Sequence, residues 1–390
     1  MEAKAQSAMI SWIGDSIVSP SGFTSAENYE AAKARRSAIA PHAGDGLAEP
    51  YHAAVINKEA LAAAFEQRCG SPAGLTPLEQ AAILSVAQAT EGTGINPASP
   101  KVLFVFSSTK GNIHLLDAEA DSYDRNKLYL WHTASLIARR FGNPNEPVVV
   151  SNACISGACA QIAAMRMIEA GRYEWAVVTG ADMASRFVVS GFQSLKALAD
   201  GQCRPFDANR AGLNLGEAAA TIIYGKAKGK AESAKSISLR AGSIRNDANH
   251  ISGPSRTAEG AFLALNDILK HADKKDIAFV CSHGTATPYN DRMETIALQR
   301  AGLDRIPTNS LKGSFGHTLG AAGTLESIIS KWALTEGLAL GTCGFEEPAQ
   351  DCALPVAAHN IASGGSCFVK MLSGFGGSNA ALLFAKSEED

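Results

Sequence analysis

The sequence is short of charge and has almost no excess of either sign. Only 19% of its 390 residues are charged, and 35 lysine and arginine residues oppose 38 aspartate and glutamate residues. This balance argues against a general phosphate-binding surface, so we expect no nucleic-acid partner, and only a local basic patch for an acidic partner stays open. The 46% hydrophobic content excludes disorder of the whole chain and allows a large core.

Other familiar signatures are also missing. The eight cysteines lie far apart and none forms a CxxC pair, so neither a zinc ribbon nor a dithiol redox motif finds support. The first residues contain no apolar core of signal-peptide length. No run approaches the roughly 18 uninterrupted apolar residues of a membrane span. We therefore expect a cytoplasmic globular protein in a reducing compartment.

Short apolar runs alternate with helix-length amphipathic or alanine-rich stretches. This alternation predicts an α/β fold with mixed, largely parallel sheets. The predicted strands are 9–13, 102–106, 148–150, 175–178, 219–224, 277–281 and 380–384, and the predicted helices are 78–89, 157–170, 257–272 and 321–335.

One lysine-rich segment indicates a boundary. Residues 225–236 carry four lysines among alanine, glycine and serine without apolar periodicity, which is typical of a solvated loop. We place two halves at residues 1–232 and 233–390. Both contain a strand, a loop with a reactive residue and a helix in that order, a layout that by itself is weak support for duplication.

Cys154 lies where a β-branched strand, 148–150, runs into a helix that opens with small residues. A thiol at such a junction faces the positive end of the helix dipole, which favours the thiolate and predicts a pKa below the usual value of roughly 8.5. The small neighbours leave room for an acyl group. Most free cysteines are simply buried, and we interpret Cys159 and the other six in that way.

Two histidines lie in similar junctions of the second half. His283 ends the apolar strand 277–281 and precedes a glycine and two hydroxyl residues, whereas Lys312 and His317 occupy a glycine-rich loop that opens a helix. Loop residues at strand ends often carry chemistry. Together with Cys154, these histidines form a set suited to acyl transfer, which needs a nucleophile, proton handling and oxyanion stabilisation.

The glycine-rich turn around Phe375 is a candidate oxyanion hole, because glycines let backbone N–H groups approach a substrate. Most such turns are only turns. The segments 204–207 and 215–217 are interpreted as loop ion pairs, and His114, His132 and His250 as ordinary surface or core residues.

Taken together, these segments resemble the elongating β-ketoacyl-acyl-carrier-protein synthases, the condensing enzymes of the thiolase superfamily. The matching pieces are Asn-Ala-Cys154-Ile-Ser-Gly, Arg204-Pro-Phe-Asp207, His283-Gly-Thr-Ala-Thr, Lys312 through His317 with Gly320-Ala-Ala-Gly323, and Gly374-Phe-Gly-Gly-Ser-Asn379. They occur in the family order from about residue 100 onward, and as a set they are highly specific.

The resemblance implies roles for the reacting groups. Cys154 would be the acylated nucleophile, in a decarboxylative Claisen condensation of a malonyl carrier-protein thioester with the loaded acyl chain. His283 and His317 would promote decarboxylation and stabilise the enolate. Lys312 would support this arrangement, paired with Glu326.

The resemblance also implies binding residues, fold and partners. The backbone amides of Cys154 and Phe375 would form the oxyanion hole, the Phe375 ring would gate the acyl pocket, and Thr285 and Thr287 would bind the phosphopantetheine arm of an acyl carrier protein. The fold would be a duplicated five-layer α/β/α/β/α sandwich, usually a homodimer. No metal or redox cofactor would be needed.

Departures from the family pattern bear on pathway rather than on reaction class. Ser373 stands where an aromatic residue is often seen, and Ala218 and Ala219 follow Glu217 where glycine is usual. These changes leave open a specialised product, such as an aryl polyene or another polyketide-like chain, beside fatty acids. Candidates for carrier-protein docking are Lys196, Arg204 and Arg210.

Three alternatives accompany this interpretation. A chain-length factor, the non-catalytic partner in a ketosynthase heterodimer, usually lacks the nucleophile, although this chain as the catalytic half of such a heterodimer stays open. Thiolases and initiating synthases have Cys-His-Cys or Cys-His-Asn sites, whereas this chain has Cys-His-His. A carrier-protein-binding scaffold would show no covalent acylation.

Overall fold

In the computed structural model, the described residues are 10–44, 46–47, 49–118, 122–226 and 236–387. Their strands are β1 (Ile10–Val18), β2 (Ala40–His42), β3 (Tyr51–Ala54), β4 (Val102–Ser107), β5 (Val148–Val150), β6 (Trp175–Asp182), β7 (Leu215–Gly216), β8 (Ala218–Lys226), β9 (Ile237–Asn246), β10 (Ile277–Cys281), β11 (Thr308–Asn309), β12 (Leu338–Ala339), β13 (Ile361–Ala362), β14 (Cys367–Gly374) and β15 (Ser378–Lys386).

The helices connect these strands. They are α1 (Ser25–Lys33), α2 (Lys58–Cys69), α3 (Pro77–Thr90), α4 (Leu130–Arg140), α5 (Ser156–Glu169), α6 (Arg186–Ser194), α7 (Glu259–Ile268), α8 (Pro288–Arg300), α9 (Lys312–Phe315) and α10 (Ala322–Glu336), with short 3-10 helices at Ile113–Asp117, Arg125–Leu128, Leu269–His271, Lys274–Asp276 and Leu319–Ala321.

The main sheet is built twice from the same pattern. Its ten strands run in the order β11-β10-β14-β15-β9-β1-β8-β6-β4-β5, and among the described residues β1 meets β9 through Ile10 with Leu239 and Ser11 with Ser238 alone. The seam lies between β1 and β9, which are the first strands of the two halves and occupy equivalent positions in them. In each half the edge strand and its two neighbours pair in parallel, and the two strands nearest the seam pair antiparallel.

Five layers follow from where the apolar faces lie. The outer face of the first half packs on α3 and α4, and that of the second half on α7 and α8. Between the halves, α5 and α10 pack against each other and against both sets of strands. The largest apolar core therefore surrounds these two central helices, as a duplicated α/β/α/β/α sandwich requires.

Glycines let the two central helices touch backbone to backbone. A Cβ on Gly157 of α5 would lie 3.0 Å from the Gly320 carbonyl oxygen, and one on Gly323 of α10 would lie 2.5 Å from the Ala158 nitrogen. Real Cβ atoms essentially never come within 3.0 Å of such a neighbour, so a Cβ on Gly323 would force the helices to shift, and one on Gly157 would be tighter than nine in ten real contacts. Since Cys154 precedes α5 and His317 precedes α10, the contact also brings the two loops together.

The predicted duplicated α/β sandwich is confirmed, with differences in detail. The sheet is mixed, but parallel pairing is confined to β4 with β5 and β6 and to β10 with β11 and β14, so parallel pairs are less prevalent than expected. The reason is that the strands near the seam, β8 and β15, run antiparallel to both of their neighbours. The strands β9 and β14 of the main sheet were not predicted, nor were the short strands β2, β3, β7, β12 and β13.

Residues 227–235 of the lysine-rich segment, with the boundary between residues 232 and 233, lie outside the described residues, as does the N-terminal segment 1–9, and the predictions made on them stay predictions. Gly225 and Lys226, predicted as loop, form the end of β8 instead. Among the described helices, none combines the length and the apolar character needed to cross a bilayer.

Candidate active site

Cys154 lies in a tight turn between β5 and α5. Ala153 adopts a positive φ of 44°, a conformation that costs a residue with a Cβ some strain. Ser156, the first residue of α5, locks the turn: its hydroxyl accepts from the Asn152 N–H at 2.8 Å and donates to the Ala153 carbonyl at 2.6 Å. The turn thus presents the thiol at the start of a helix, where the sequence predicted it.

The charge state of that thiol differs from the expectation. Burial raises the pKa of Cys154 to about 11, although Lys312 and the Phe375 N–H, which faces the sulfur, both act to lower it. Only 7% of Cys154 is exposed. The prediction of a lowered pKa was wrong because loss of hydration outweighs the helix dipole. The resting group is a neutral thiol, and it needs a base when it reacts.

His283 follows β10 and is buried with only 3% exposed. The Glu294 carboxylate of α8 fixes its backbone by accepting from the His283 N–H at 2.7 Å and the Gly284 N–H at 2.6 Å. Its Nδ1 atom has no hydrogen-bond partner among the described residues. Glu294, which was not predicted from the sequence, therefore positions His283 through its backbone rather than through a bond to the imidazole ring.

His317 enters the same space from the loop before α10. Its N–H donates to the Asn214 carbonyl at 2.6 Å, and its carbonyl accepts from the Gly216 N–H at 3.0 Å, so the backbone is tied to β7. The ring is buried with 1% exposed, and neither of its nitrogens has a hydrogen-bond partner among the described residues. Buried polar atoms left unpaired in this way commonly await a substrate or water.

The three predicted reactive side chains meet at one point. The sulfur of Cys154 and a nitrogen of each histidine lie within 4.8 Å of one another, and the two imidazole centroids are 5.0 Å apart, edge to face. Burial, followed by the nearby charge of Lys312, holds the pKa of both His283 and His317 well below the usual value. Both rings are therefore neutral at pH 7, each with one N–H to donate and one nitrogen to accept.

Lys312 and Glu326 form the predicted pair, with contact between Lys312 Nζ and Glu326 Oε1, and both are buried. A second buried lysine was not predicted. Lys370 of β14 lies 2.5 Å from Glu326 Oε2 and donates to the Ser282 carbonyl at 2.9 Å. A lysine within an otherwise apolar strand is the signal that could have identified it.

The glycine-rich turn after β14 lies directly against the nucleophile. A Cβ on Gly374 would be 3.2 Å from the Cys154 nitrogen, and the next N–H, that of Phe375, points at the Cys154 sulfur. Two backbone donors, from Cys154 and Phe375, are therefore close enough to serve one oxyanion.

These groups lie at the base of a cavity of about 410 Å³ that opens to the surface. Thr285 and Thr287 line it, with their hydroxyls 3.0 Å apart. The Phe375 ring, 40% exposed, also lines the cavity and stacks on Phe192 with 5.8 Å between the ring centroids. His250, interpreted from the sequence as an ordinary residue, also lines this cavity, and its Nδ1 accepts from the Gly253 N–H.

Of the three docking candidates, only Lys196 lines the cavity. Arg204 is paired with Asp207 and Glu346, which confirms the ion pair predicted for that loop. The Arg210 side chain is 6% exposed and lies 2.6 Å from Asp351. A guanidinium held in this way is a poor docking group.

A thiol and two imidazoles so close together could also ligate a metal ion. The surroundings are unfavourable for that, because the ammonium groups of Lys312 and Lys370 both act on the two rings. Histidine ligands usually donate their second N–H to a carboxylate or carbonyl, whereas both nitrogens of His317 are unpaired among the described residues. The arrangement fits nucleophilic chemistry better.

Comparison with solved structures agrees with the fold. A β-ketoacyl synthase from Burkholderia phymatum superposes with a TM-score of 0.85 at 24% identity, covering 98% of this chain and 100% of that one. The ishigamide ketosynthase/chain length factor superposes with a TM-score of 0.84 at 23% identity, with the same coverage. At these identities the comparison supports the thiolase-like fold alone.

Curated relatives share more sequence over a shorter stretch. The chain is 32% identical over 275 residues to 3-oxoacyl-[acyl-carrier-protein] synthase 2 of Rhizobium meliloti, covering 64% of this chain and 62% of that protein. It is 33% identical over 245 residues to nodulation protein E of the same species, covering 60% of each. The alignments thus span about three fifths of these relatives.

Two protein-family models together match most of the chain. Residues 10–228 match the N-terminal domain of β-ketoacyl synthases and residues 237–346 match their C-terminal domain, so that Cys154 lies in the first match and both histidines in the second. With this match, the duplicated sandwich and a thiol facing two imidazoles across its centre, the chain belongs to the β-ketoacyl synthase family.

Proposed function

We propose that this chain is an acyltransferase that condenses a malonyl carrier-protein thioester with an acyl chain loaded on Cys154. The observation that carries the proposal is the meeting of the Cys154 sulfur with two neutral imidazoles, within 4.8 Å, at an open cavity. A nucleophile, proton acceptors and oxyanion donors are all present in one buried space.

Loading begins from the neutral thiol. The sulfur attacks the carbonyl carbon of the incoming acyl thioester while a neutral imidazole accepts the proton of the thiol. Because this imidazole has low basicity, it can quickly donate the proton to the leaving sulfur of the carrier. The N–H groups of Cys154 and Phe375 bind the developing oxyanion. The carrier's sulfur then leaves with the proton, so that one thioester replaces another.

Condensation uses the same imidazoles in a second way. When the bond between the malonyl α-carbon and its carboxylate breaks, carbon dioxide leaves and the electron pair passes into an enolate, whose oxygen accepts hydrogen bonds from His283 and His317. The α-carbon attacks the acyl carbon on Cys154, the C–S bond breaks, and the thiolate takes up a proton. An imidazolium would instead pair with the malonyl carboxylate and hold it, which is why neutral rings suit this step.

The cavity suits a substrate carried on a long arm. Thr285 and Thr287 offer two adjacent hydroxyls for the amides of phosphopantetheine, and the Phe375 ring stands at the wall as a gate. Every step above is completed by this chain's own groups and the two thioesters, so we propose no metal or redox cofactor and an acyl carrier protein as partner.

We further propose a dimer with a second copy of the chain. The edge strand β5 consists of three half-buried valines and pairs with β4 on one side. Large apolar side chains, including Tyr129 and Trp131, are more than half exposed. An edge of this kind can pair with itself in a two-fold dimer. Light scattering would test this, and a monomer that dimerises only with a different ketosynthase-like chain would show the heterodimer.

Product analysis tests the function. The protein would be incubated with malonyl carrier protein and a ladder of acyl primers, and the thioesters identified by mass spectrometry. We expect β-ketoacyl products two carbons longer than the primer, with one carbon dioxide released per product. Fatty-acid and polyketide-like roles would differ in which primers and how many extensions are accepted. Unchanged primers at every length would contradict the proposal.

A further inference from the structure

Lys370 is a buried cation that the proposed reaction does not yet use. Its side chain is fully buried in β14, and its Nζ lies 2.5 Å from Glu326 Oε2. The same Nζ donates to the backbone carbonyls of Cys281 at 3.2 Å and Ser282 at 2.9 Å. An ammonium in a protein interior persists only when partners of this quality replace its water.

The two carbonyls that Lys370 binds lead directly to a reacting group. Cys281 is the last residue of β10, and Ser282 precedes His283. Glu294 holds the His283 backbone from the side of α8. The end of β10 is thus held by two side chains. Glu294 holds it from α8, and Lys370 holds it from the neighbouring strand β14.

The same lysine changes the charge behind the imidazoles. Lys312 and Lys370 share the single carboxylate of Glu326, so the cluster of these three buried side chains has a net charge of +1. Burial is the largest cause of the low pKa of both rings, and both ammonium groups lower it further. Burial is also the largest cause of the raised pKa of Cys154, followed by Lys312, Asp182, the Phe375 N–H and Lys110.

The internal duplication shows that the fold does not require this lysine. Lys370 lies opposite Cys281, the last residue of β10, and Gly180 of β6 lies opposite Ser107, the last residue of β4. These two positions correspond in the two halves and face the central helices. Where one half has a glycine, the half that carries both histidines has a buried ammonium.

We propose that Lys370 is a positioning residue for malonyl decarboxylation, which anchors the strand end that carries His283 and, with Lys312, sets the charge of the cluster behind both imidazoles. This inference rests on the proposed function. The charged and titratable groups facing the two rings are Cys154, Glu294, Lys312, Glu326 and Lys370, together with each ring facing the other.

A charge series tests the inference. Lys370→Met takes the cluster from +1 to 0, Lys370→Met with Glu326→Gln restores +1, and Glu326→Gln alone gives +2. Removing positive charge lets the imidazole pKa rise, so the rings protonate sooner as pH falls. We expect the acid limb of the decarboxylation pH profile to move to higher pH in Lys370→Met, to return toward wild type in the double variant, and to move to lower pH in Glu326→Gln.

Rates separate positioning from general damage. We expect Lys370→Met to slow decarboxylation by about tenfold or more at pH 7 while acyl loading of Cys154 stays within about twofold. Lys331→Met is the matched control, because Lys331 is paired with Asp15 away from the site, and it should change neither rate. If Lys370→Met fails to fold, the double variant with Glu326→Gln is used instead, because it leaves no buried carboxylate without its partner. The test is then the position of the acid limb in the double variant.

Three results would overturn the inference, and the first two concern the charge series and the rates. One is an acid limb that does not follow the net charge of the cluster, and the other is an equal loss of loading and decarboxylation in Lys370→Met. A wild-type protein that neither loads an acyl group nor releases carbon dioxide would contradict the proposed function itself. Wild-type activity that persists unchanged in Lys370→Met would overturn the role of Lys370 alone.

Discussion

The two halves of the molecule share one topology but supply different chemistry. At the end of β6 in the first half, the buried carboxylate of Asp182 ties loops together by accepting from the Ser108 hydroxyl at 2.7 Å and the Gly320 N–H at 2.7 Å. In the second half the corresponding strand carries the ammonium of Lys370. The half that provides the nucleophile therefore uses a buried carboxylate to hold its loops, whereas the half that provides the imidazoles uses a buried ammonium group.

The comparison teaches that duplication supplied the scaffold and that divergence at strand ends supplied the reaction. Neither half holds the site alone, because the thiol precedes α5 and both imidazoles belong to the half that contains α10. Backbone contact between the central helices joins them.

The largest expected effect separates the two halves by reaction step. Cys154→Ala should abolish acyl loading, whereas His317→Ala should keep most loading and lose decarboxylation by about a hundredfold or more, because an imidazole donor to the enolate is removed. Loading would be followed by intact-protein mass and decarboxylation by carbon dioxide release. His271→Ala, on an exposed histidine of the same half, is the control. If His317→Ala leaves both steps intact, His317 has no part in the mechanism.

The next effect is on the contact between the halves at the oxyanion hole. In Gly374→Ala the new methyl group would sit 3.2 Å from the Cys154 nitrogen, so the Cys154 N–H or the turn that carries the Phe375 N–H must shift by a few tenths of an ångström. We expect acyl loading to slow by about tenfold, since oxyanion donors act only in good geometry. Gly364→Ala, whose methyl group would meet open space, should load at the wild-type rate. Equal rates in both variants would remove this turn from the oxyanion hole.

A smaller effect concerns stability at the helix contact. Gly323→Ala would place a methyl group 2.5 Å from the Ala158 nitrogen and should lower the free energy of unfolding by about 1–3 kcal/mol, the usual cost of overpacking. Urea denaturation measures it. The matched helical glycine is Gly191 of α6, which faces open space, so Gly191→Ala should raise stability by about 0.5–1 kcal/mol. A Gly323→Ala protein as stable as wild type would show that the helices can separate freely.

The last prediction concerns the pH dependence of the thiol within the first half, and it bears least on the contact between the halves. Because burial raises the Cys154 pKa to about 11, its thiolate fraction at pH 7 is minute and should rise about tenfold per pH unit up to pH 10. Alkylation of Cys154 by iodoacetamide, followed by peptide mass, should rise with pH and reach no plateau below pH 10. A plateau near pH 8 would mean that the helix start, rather than burial, sets the pKa.

Much of this arrangement could be predicted from local sequence. Residues such as Cys154 and His283 follow apolar strands and precede glycine or small residues, and strand ends on one side of an α/β sheet face a common crevice. The pairing of Lys312 with Glu326 followed from family resemblance rather than from any local pattern.

Other features depend on contacts distant in sequence and were therefore missed. Lys370 meets Glu326 and the end of β10 only after β14 pairs with β10, and no periodicity foretells that partner. The carboxylate of Glu294 reaches His283 across the loop before α8. The pKa of Cys154 was predicted in the wrong direction because a helix start is visible in the sequence, whereas the extent of burial is a property of the whole fold.

Peptide mapping after incubation with an acyl carrier-protein thioester tests the central claim most directly. We predict a single acyl mass gain on the peptide that contains Cys154, lost in Cys154→Ala and retained in His317→Ala. Acylation of a different cysteine, or acylation that survives Cys154→Ala, would contradict the claim that this thiol and the imidazoles of the other half form one active site.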